Sequence, residues 1–287
     1  VLICLFFITR FLAGRSIIPV QIITQTTDRI TRNSLNERVP LPQNKDELYT
    51  LTSSINELLD RMQEALEREK QFTADASHQL RTPLAVLKGT LEVLIRKPRT
   101  ETEYQEKITY SIKEIDRISS AVEQLLILAR LDKNSVKVTK TAINLQMISN
   151  DILYRFRNDI SKKLLSVNIT SNIDADLILD PYYIDLIIEN LISNAVKYAS
   201  ENTAIDIVMT KNKGEITYQI KNQGIVIPPA DLETIFNPFY RSNPLHHKAI
   251  QGNGLGLSIV KKVSDLLGAK ITVSSDAGVG TVFTLVF

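Results

Sequence analysis

The string ASHQLRTPL, residues 76–84, places a histidine on the polar side of a helical pattern. At about 100° per residue, His78 lies opposite the apolar stripe of this segment, and Thr82 shares its face. Pro83 follows five residues later and predicts a bend, because proline removes a backbone donor from the helix. The imidazole of His78 is therefore expected to point to water, at a place where the helix can bend.

A second polar cluster lies in the string IIENLISNAVKYA. Asn190, Asn194 and Lys197 are spaced by four and three residues, so they share one helical face. Amide oxygens are suitable ligands for a hard divalent cation, and an ammonium can contact a phosphate. On spacing alone, an ordinary polar solvent face explains the pattern equally well.

Two glycine-containing strings follow. In IKNQGIVIP, Gly224 permits a tight turn after a strand, and Asn222 offers an amide that can bind the edge of a heterocycle. Taken alone, this string is explained more simply as a strand-end turn. In QGNGLGLSIV, Gly252, Gly254 and Gly256 open a helix, where backbone amides favour phosphate. Their spacing differs from the dinucleotide-binding fingerprint.

The segment between these strings, residues 235–251, is rich in aromatic residues and helix breakers. Phe239 and Arg241 lie in it, and a loop of this length in a compact domain is typical of a lid or of a disordered segment. His246 and His247 also lie here. With no carboxylate or cysteine nearby, this pair is better explained as solvated than as a metal site.

The histidine string sits in a long helical pattern that begins at Asp46 and Glu47. Apolar positions alternate steps of three and four for about four heptads, which predicts a coiled coil or bundle. From Ala76 onward, steps of four predict a local unwinding of the supercoil. Residues 97–100 end the helix, and a second amphipathic helix follows. We expect an antiparallel hairpin that buries its apolar stripes by pairing with a second copy as a four-helix bundle. The stripe of the second helix comprises Ile108, Ile112, Ile115, Val122, Leu126 and Ala129.

The chain starts with eight apolar residues, Val1 to Ile8, followed by Arg10 and Arg15. This pattern indicates the inner end of a membrane span with the following residues in the cytoplasm. A signal peptide is the alternative, although no small-residue cleavage site is evident. Pro19 suits the first turn of the next helix, which a polar connector separates from the heptad region.

After residue 135 the apolar period changes to alternating strands and helices. This half of the chain therefore predicts an α/β sandwich of a sheet and a helix layer. The expected strands are 165–170, 177–179, 205–210, 216–221, 270–274 and 282–287, and the expected helices are 145–162, 181–198 and 255–267.

Composition excludes several classes of protein. The only cysteine is Cys4, so disulfides and thiolate metal sites are excluded. A net charge of +2 without a basic stripe argues against nucleic-acid binding.

Taken in order, five strings resemble the motifs of two-component sensor histidine kinases. ASHQLRTPL resembles the phosphoacceptor box, ENLISNAVKY the N box, KNQGIVIP the first glycine box, IFNPFYR the F box and GNGLGLSIV the second glycine box. The resemblance implies a membrane-bound bacterial homodimer that partners a response regulator. It also implies four parts: the end of a transmembrane helix (1–14), a HAMP linker (15–68), a dimerisation and phosphotransfer hairpin (69–135) and a Bergerat-type ATP-binding domain (136–287).

The resemblance also implies roles for individual residues. His78 would attack the γ-phosphate of ATP and pass the phosphoryl group to an aspartate of the regulator, and Thr82 would orient water for dephosphorylating the regulator. Asn190 and Asn194 would hold Mg²⁺, and Lys197 and Arg241 would meet phosphates. The remaining nucleotide-binding residues would be Tyr198, Asn222, Gly224, Ile227, Phe239, Gly252, Gly254, Gly256, Leu257 and Thr281.

Three residues depart from the family pattern. Gln79 follows the histidine where the family usually has an acidic base, and a glutamine cannot take up a proton. Asn222 replaces the aspartate of the first glycine box, and Val226 replaces its second glycine. These departures leave open a degenerate kinase that acts as a phosphatase or a dimeric scaffold. An ATPase of the gyrase and chaperone type shares the expected nucleotide fold, but it gives no reason for the histidine helix.

Overall fold

The computed structural model describes residues 2–31, 34–43, 45–131, 137–173, 177–212, 214–242 and 252–287. These residues form two compact units, Val1–Asp75 and Ala76–Phe287. His246 and His247, for which we expected no metal site, lie outside the described residues.

The first unit begins with helix α1, Leu2–Arg29. The prediction that Pro19 opens a helix is wrong, because Pro19 lies in the interior of α1. A proline removes one hydrogen bond of the ladder, and a helix of this length retains the others on both sides. Among the described residues, no helix is both long and apolar enough to cross a membrane.

The connector that follows α1 is held against helix α2, Glu47–Ile95. The Asn56 side chain accepts a hydrogen bond from the Val39 amide and donates one to the Val39 carbonyl, each 2.9 Å long. The Arg38 guanidinium contacts Asp60 Oδ1 at 2.6 Å. Leu35 and Val39 are buried, so both apolar contacts and side-chain hydrogen bonds hold the connector against α2.

Helix α2 starts where the sequence predicts, because the Asp46 carboxylate accepts hydrogen bonds from the amides of the first turn. It stays helical through Pro83 and ends at Ile95. Helix α3, Glu101–Leu131, begins with a capping box in which Thr100 and Glu103 exchange hydrogen bonds of 3.0 and 3.3 Å.

The apolar stripes expected to face a second copy are largely accessible in the single chain. Leu84 and Leu91 of α2 are 50% and 43% exposed, and Ile112 and Leu126 of α3 are 53% and 52% exposed. The helix pair therefore does not bury these stripes by itself.

The rest of the second unit is an α/β sandwich. Its strands are β1 Thr141–Ile143, β2 Ser166–Ser171, β3 Leu177–Leu179, β4 Ala204–Asn212, β5 Glu215–Asn222, β6 Lys270–Asp276 and β7 Gly280–Val286. Five of them form a sheet in the order β2-β4-β5-β7-β6, in which only the β2–β4 pair is parallel. A small antiparallel sheet joins β1 to β3.

The helix layer contains α4 (Leu145–Arg155), α5 (Arg157–Lys162), α6 (Pro181–Tyr198) and α7 (Gly256–Leu267). Helix α6 packs against α4, α7 and β5, and its apolar side is buried from Ile184 to Val196. The prediction of one helix over 145–162 is wrong, because Phe156 separates α4 from α5. Strand β1 was not predicted.

Alternation along the strands determines which side chains face the helix layer. In β5, Tyr218, Ile220 and Asn222 are buried on this side. The Tyr218 hydroxyl lies 3.2 Å from Ser149 Oγ of α4, and burial raises the pKa of this phenol. Asn222 therefore continues the inward row of β5 beyond the apolar core.

Candidate functional site

Helix α6 presents a row of polar side chains on the side away from its buried face. Asp180 caps its first turn by accepting from the Tyr182 amide at 3.0 Å. Further along, the Asn190 amide nitrogen donates to the Leu186 carbonyl at 2.8 Å. This bond turns Oδ1 of Asn190 toward Gly256, where a Cβ atom would lie only 2.6 Å from it. Glycine at this position leaves room for the asparagine oxygen.

The carboxyl end of α6 is held by a partly buried contact that was not predicted from the sequence. The Lys163 ammonium donates to the carbonyls of Val196, Lys197 and Ala199 at 2.9, 2.7 and 3.0 Å. A cation at this end also complements the helix dipole. Lys163 thereby positions the last turn, which carries two of the predicted nucleotide-binding residues, Lys197 and Tyr198.

Two cations lie at this part of the site. Desolvation lowers the pKa of the Lys197 ammonium, an effect opposed by Asp159 and supported by Arg241. Lys197 as a whole residue is nevertheless exposed to solvent. The Arg241 guanidinium donates to the Gly252 carbonyl at 3.3 Å. These groups provide positive charge where a polyphosphate would lie.

The glycine turn before α7 is held by Phe239. The Phe239 amide donates to the Gly254 carbonyl at 2.8 Å. Both residues have left-handed backbone conformations, with φ of 64° at Phe239 and 69° at Gly254. A Cβ atom at Gly254 would lie 2.7 Å from the Phe239 carbonyl carbon, so this approach requires glycine.

At the sheet end of the site, Asn222 pairs across the ladder with Thr281. The Thr281 hydroxyl donates to the Ile225 carbonyl at 3.4 Å and lies 2.8 Å from Ser275 Oγ. Ser275 Oγ in turn accepts from the Ile227 amide at 2.9 Å. These bonds tie the turn after β5 to strands β6 and β7.

A cavity of about 1050 Å³ brings most of the predicted residues together. Three of them do not line it: His78, Gly224 and Phe239. Gly224 forms a bridge to Ala199 behind the cavity wall. The predicted residues that line the cavity are Gln79, Thr82, Asn190, Asn194, Lys197, Tyr198, Asn222, Ile227, Arg241, Gly252, Gly254, Gly256, Leu257 and Thr281.

Helices α2 and α3 form the opposite wall of this cavity. Gln79, Thr82 and Pro83 face it, and His78 is exposed to one side, about 100° around α2 from Gln79. From α3, the buried carboxylate of Glu114, which pairs with Arg117, also lines the cavity. Glu114 was not predicted from the sequence, since its burial depends on packing between distant segments.

The donor set fits a hard cation shared with a ligand. Among the described residues, no group of three or more histidine, cysteine, aspartate or glutamate residues is placed to bind a metal ion. Asn190 and Asn194 instead offer neutral oxygens one turn apart, and Asn190 Oδ1 is not used by the hydrogen bond of its amide. Mg²⁺ is commonly bound by few protein oxygens together with substrate phosphates and water.

Three family models match the chain. The family described as histidine kinase-, DNA gyrase B-, and HSP90-like ATPase matches residues 179–287. The His Kinase A phospho-acceptor domain matches residues 68–134, and the HAMP domain matches residues 11–64.

Curated relatives include the sensor protein CzcS of Cupriavidus metallidurans and the signal transduction histidine-protein kinase ArlS of Staphylococcus aureus. CzcS is 31% identical over 95% of this chain and 57% of its own length. ArlS is 30% identical over 94% of this chain and 60% of its own length. The chain thus spans somewhat over half of the relatives that it matches.

Two solved structures share the fold. The Acinetobacter baumannii histidine kinase AdeS has a TM-score of 0.62 and 21% identity, and the match covers 73% of this chain and 96% of AdeS. Histidine kinase ThkA, in complex with the response regulator protein TrrA, also has a TM-score of 0.62, with 22% identity over 78% of this chain and 63% of ThkA.

Proposed function

The chain belongs to the two-component sensor histidine kinases, and on that premise we propose that it phosphorylates His78 from Mg-ATP. The phosphoryl group then passes to an aspartate of a response regulator. One observation carries this proposal. The exposed His78 is adjacent on α2 to Gln79, which lines the same cavity as Asn190, Asn194 and the glycine turn.

The reaction is an in-line displacement at phosphorus. A nitrogen of the His78 imidazole forms a bond to the γ-phosphorus, and the bond from that phosphorus to the bridging oxygen of ADP breaks. ADP leaves with the electron pair of that bond. The imidazole loses one proton, which water accepts because Gln79 cannot.

The protein contributes positioning and charge. Lys197 and Arg241 would hold the polyphosphate, and the hydrogen bond from Phe239 to Gly254 supports the glycine turn at the start of α7, where backbone amides favour phosphate. Asn190 and Asn194 would hold Mg²⁺, which neutralises phosphate charge when bound. Because His78 lies beside the cavity wall, α2 and the nucleotide-binding fold must shift relative to each other before transfer.

Dephosphorylation of the regulator is the second activity that we propose. Thr82 faces the cavity and is exposed, and its hydroxyl donates to the His78 carbonyl at 3.2 Å. Because Gln79 gives no general-base help to phosphorylation, the balance shifts toward the phosphatase.

The proposed context is a homodimer anchored in a bacterial plasma membrane. Its four parts would be the end of a membrane helix (1–14), a HAMP linker (15–68), the phosphotransfer hairpin (69–135) and the catalytic domain (136–287). The exposed apolar stripes of α2 and α3 support the dimer.

The test is labelling of the whole chain with γ-labelled Mg-ATP. We expect a label that is acid-labile and alkali-stable, as phosphohistidine is, and that is lost in His78→Ala. Lys88→Ala, at an exposed position of α2 outside the phosphoacceptor box and away from the cavity, serves as the control and should retain the label. Full labelling of His78→Ala would show that the nucleophile is assigned wrongly.

A dimeric signalling scaffold without kinase activity is the second candidate. Gln79, Asn222 and Val226 favour it, because each replaces a residue that usually assists catalysis or nucleotide binding in the family. Calorimetry separates the two candidates. Kinase function requires Mg-ATP binding well below millimolar concentrations, and a scaffold predicts millimolar binding or none.

A further inference from the structure

The side-chain amide of Asn222 is buried and lacks a partner. Asn222 is 3% exposed, and its Nδ2 atom has no hydrogen-bond partner in the described parts of the chain. Buried polar groups are nearly always paired in native proteins, and those that are not require an explanation. Asn222 lines the cavity, so a bound ligand is the available partner.

The hydroxyl of the neighbouring Thr281 does not serve as a hydrogen-bond donor to a ligand in place of the Asn222 amide. Thr281, opposite Asn222 in the ladder, donates its proton to the Ile225 carbonyl at 3.4 Å. Its oxygen also lies 2.8 Å from Ser275 Oγ, so the hydroxyl already has partners within the protein. The Asn222 amide consequently supplies both a donor and an acceptor at this end of the cavity.

The surrounding surface suits a flat heterocycle. Ile227, Ile235 and Phe283 line the cavity along with Asn222. An apolar wall with a few fixed polar groups is typical of a site that binds a planar ring and reads one of its edges. The edge facing Asn222 must accept at least one hydrogen bond, because Nδ2 can only donate.

Two kinds of purine edge satisfy this requirement. A 6-aminopurine offers a donor at its amino group and an acceptor at the adjacent ring nitrogen. A 6-oxopurine offers the reverse, an acceptor at its oxygen and a donor at the ring nitrogen. Rotation of the Asn222 amide by half a turn exchanges its oxygen and nitrogen, so that it fits either edge with two hydrogen bonds.

We propose that Asn222 makes this cleft accept 6-oxopurine nucleoside triphosphates as well as ATP. A carboxylate at this position, as in the family pattern, has only acceptors and would face the 6-oxygen with a like partial charge. The inference rests on the proposed function and names the substrate class of the same site.

The experiment measures displacement of labelled ATP from the whole chain by unlabelled ATP and by inosine triphosphate, both with Mg²⁺. Inosine triphosphate has the 6-oxo edge without the further amino group of guanine. We expect the two nucleotides to bind within about tenfold of each other. In Asn222→Asp, we expect inosine triphosphate to lose at least about tenfold relative to ATP.

Asn158→Asp is the matched control, because Asn158 is exposed in α5 and does not line the cavity. Its ratio of inosine triphosphate to ATP affinity should equal that of the wild type. More than about hundredfold discrimination against inosine triphosphate by the wild type overturns the inference, as does an unchanged ratio in Asn222→Asp. If either of these results overturns the inference but ATP still labels His78, the proposed function stands without the inference. If neither nucleotide binds, both are wrong.

Discussion

At the scale of single residues, the polar side chains that α2 contributes to the cavity are neutral, and a carboxylate comes from α3. Helix α2 lines the cavity with the polar side chains Gln79 and Thr82, neither of which ionises near neutral pH. The carboxylate of Glu114, which lines the cavity from α3, is already paired with Arg117. In the proposed phosphorylation of His78, α2 offers no side chain that can accept the imidazole proton, and we expect this proton removal to limit the rate.

The variant Gln79→Glu tests this limit. General-base assistance is worth about 10²- to 10⁴-fold in many enzymes, so we expect the initial rate of phosphohistidine formation to rise at least about tenfold. The measurement is the rate of labelling at saturating Mg-ATP. Gln105→Glu adds the same charge at an exposed position of α3 and should leave the rate unchanged. An unaltered rate in Gln79→Glu would mean that proton removal is not limiting.

At the scale of elements, helix α6 is fixed at both ends by side chains from outside it. Asp180 caps its start and also accepts from the Thr139 amide at 2.7 Å. Lys163 binds three carbonyls at its end. Because Asn190, Asn194 and Lys197 all project from this one helix, its fixed ends determine how accurately they meet a ligand.

We expect Lys163→Met to lower the free energy of unfolding by about 1–3 kcal/mol, since it leaves three carbonyl groups without their cationic donor. It should also weaken Mg-ATP binding through displacement of the last turn of α6. Lys162→Met is the control. Lys162 makes only an exposed ion pair with Asp159 at 3.7 Å, which is worth less than about 1 kcal/mol. Denaturant unfolding of both variants provides the comparison, and equal losses would contradict the capping role.

Periodicity predicted most of these elements. It located α6 at its observed bounds, because Pro181 and the buried row from Ile184 mark it clearly. It did not find β1, whose three residues are too few to show a pattern. Pro19 was wrongly predicted to open a helix, because proline favours the first turn of a helix. In α1 it lies in the interior, at the cost of one hydrogen bond of the ladder.

The site was predicted less completely than the fold. Local motifs indicated the asparagines and glycines that line the cavity, since spacing along one helix or turn is readable from sequence. Lys163 and Glu114 were missed, because each acts through a contact with a segment far away in the chain. Phe239 was predicted to bind the nucleotide; in the structure it does not line the cavity, and its amide binds the Gly254 carbonyl.

At the scale of the whole molecule, the single chain leaves apolar surface that a second copy can cover. In the second unit, the accessible stripe runs along α2 and α3, where Leu91, Ile112 and Leu126 are each more than two-fifths exposed. In the first unit, Leu51 and Leu58 of α2 are each 50% exposed. Apolar rows of this length on two amphipathic helices are typical of a bundle interface.

We expect Ile112→Asp to weaken the dimer at least about tenfold, because it places a charge in the apolar interface. Sedimentation of the detergent-solubilised whole chain would report the shift toward monomer. Ile178→Asp is the control, since Ile178 is 62% exposed on β3, outside the helical hairpin. A wild-type chain that sediments as a monomer at micromolar concentration would contradict the interface.

The two-sided wall of the cavity has a thermodynamic consequence. Because α2 and α3 line the same space as α6 and the glycine turn, a ligand in that space touches both the hairpin and the nucleotide-binding fold. If a rearrangement of the hairpin changes the affinity for the ligand by some factor, binding of the ligand must change the equilibrium of that rearrangement by the same factor. Cellular nucleotide concentration would then bias the hairpin even when no signal acts on it.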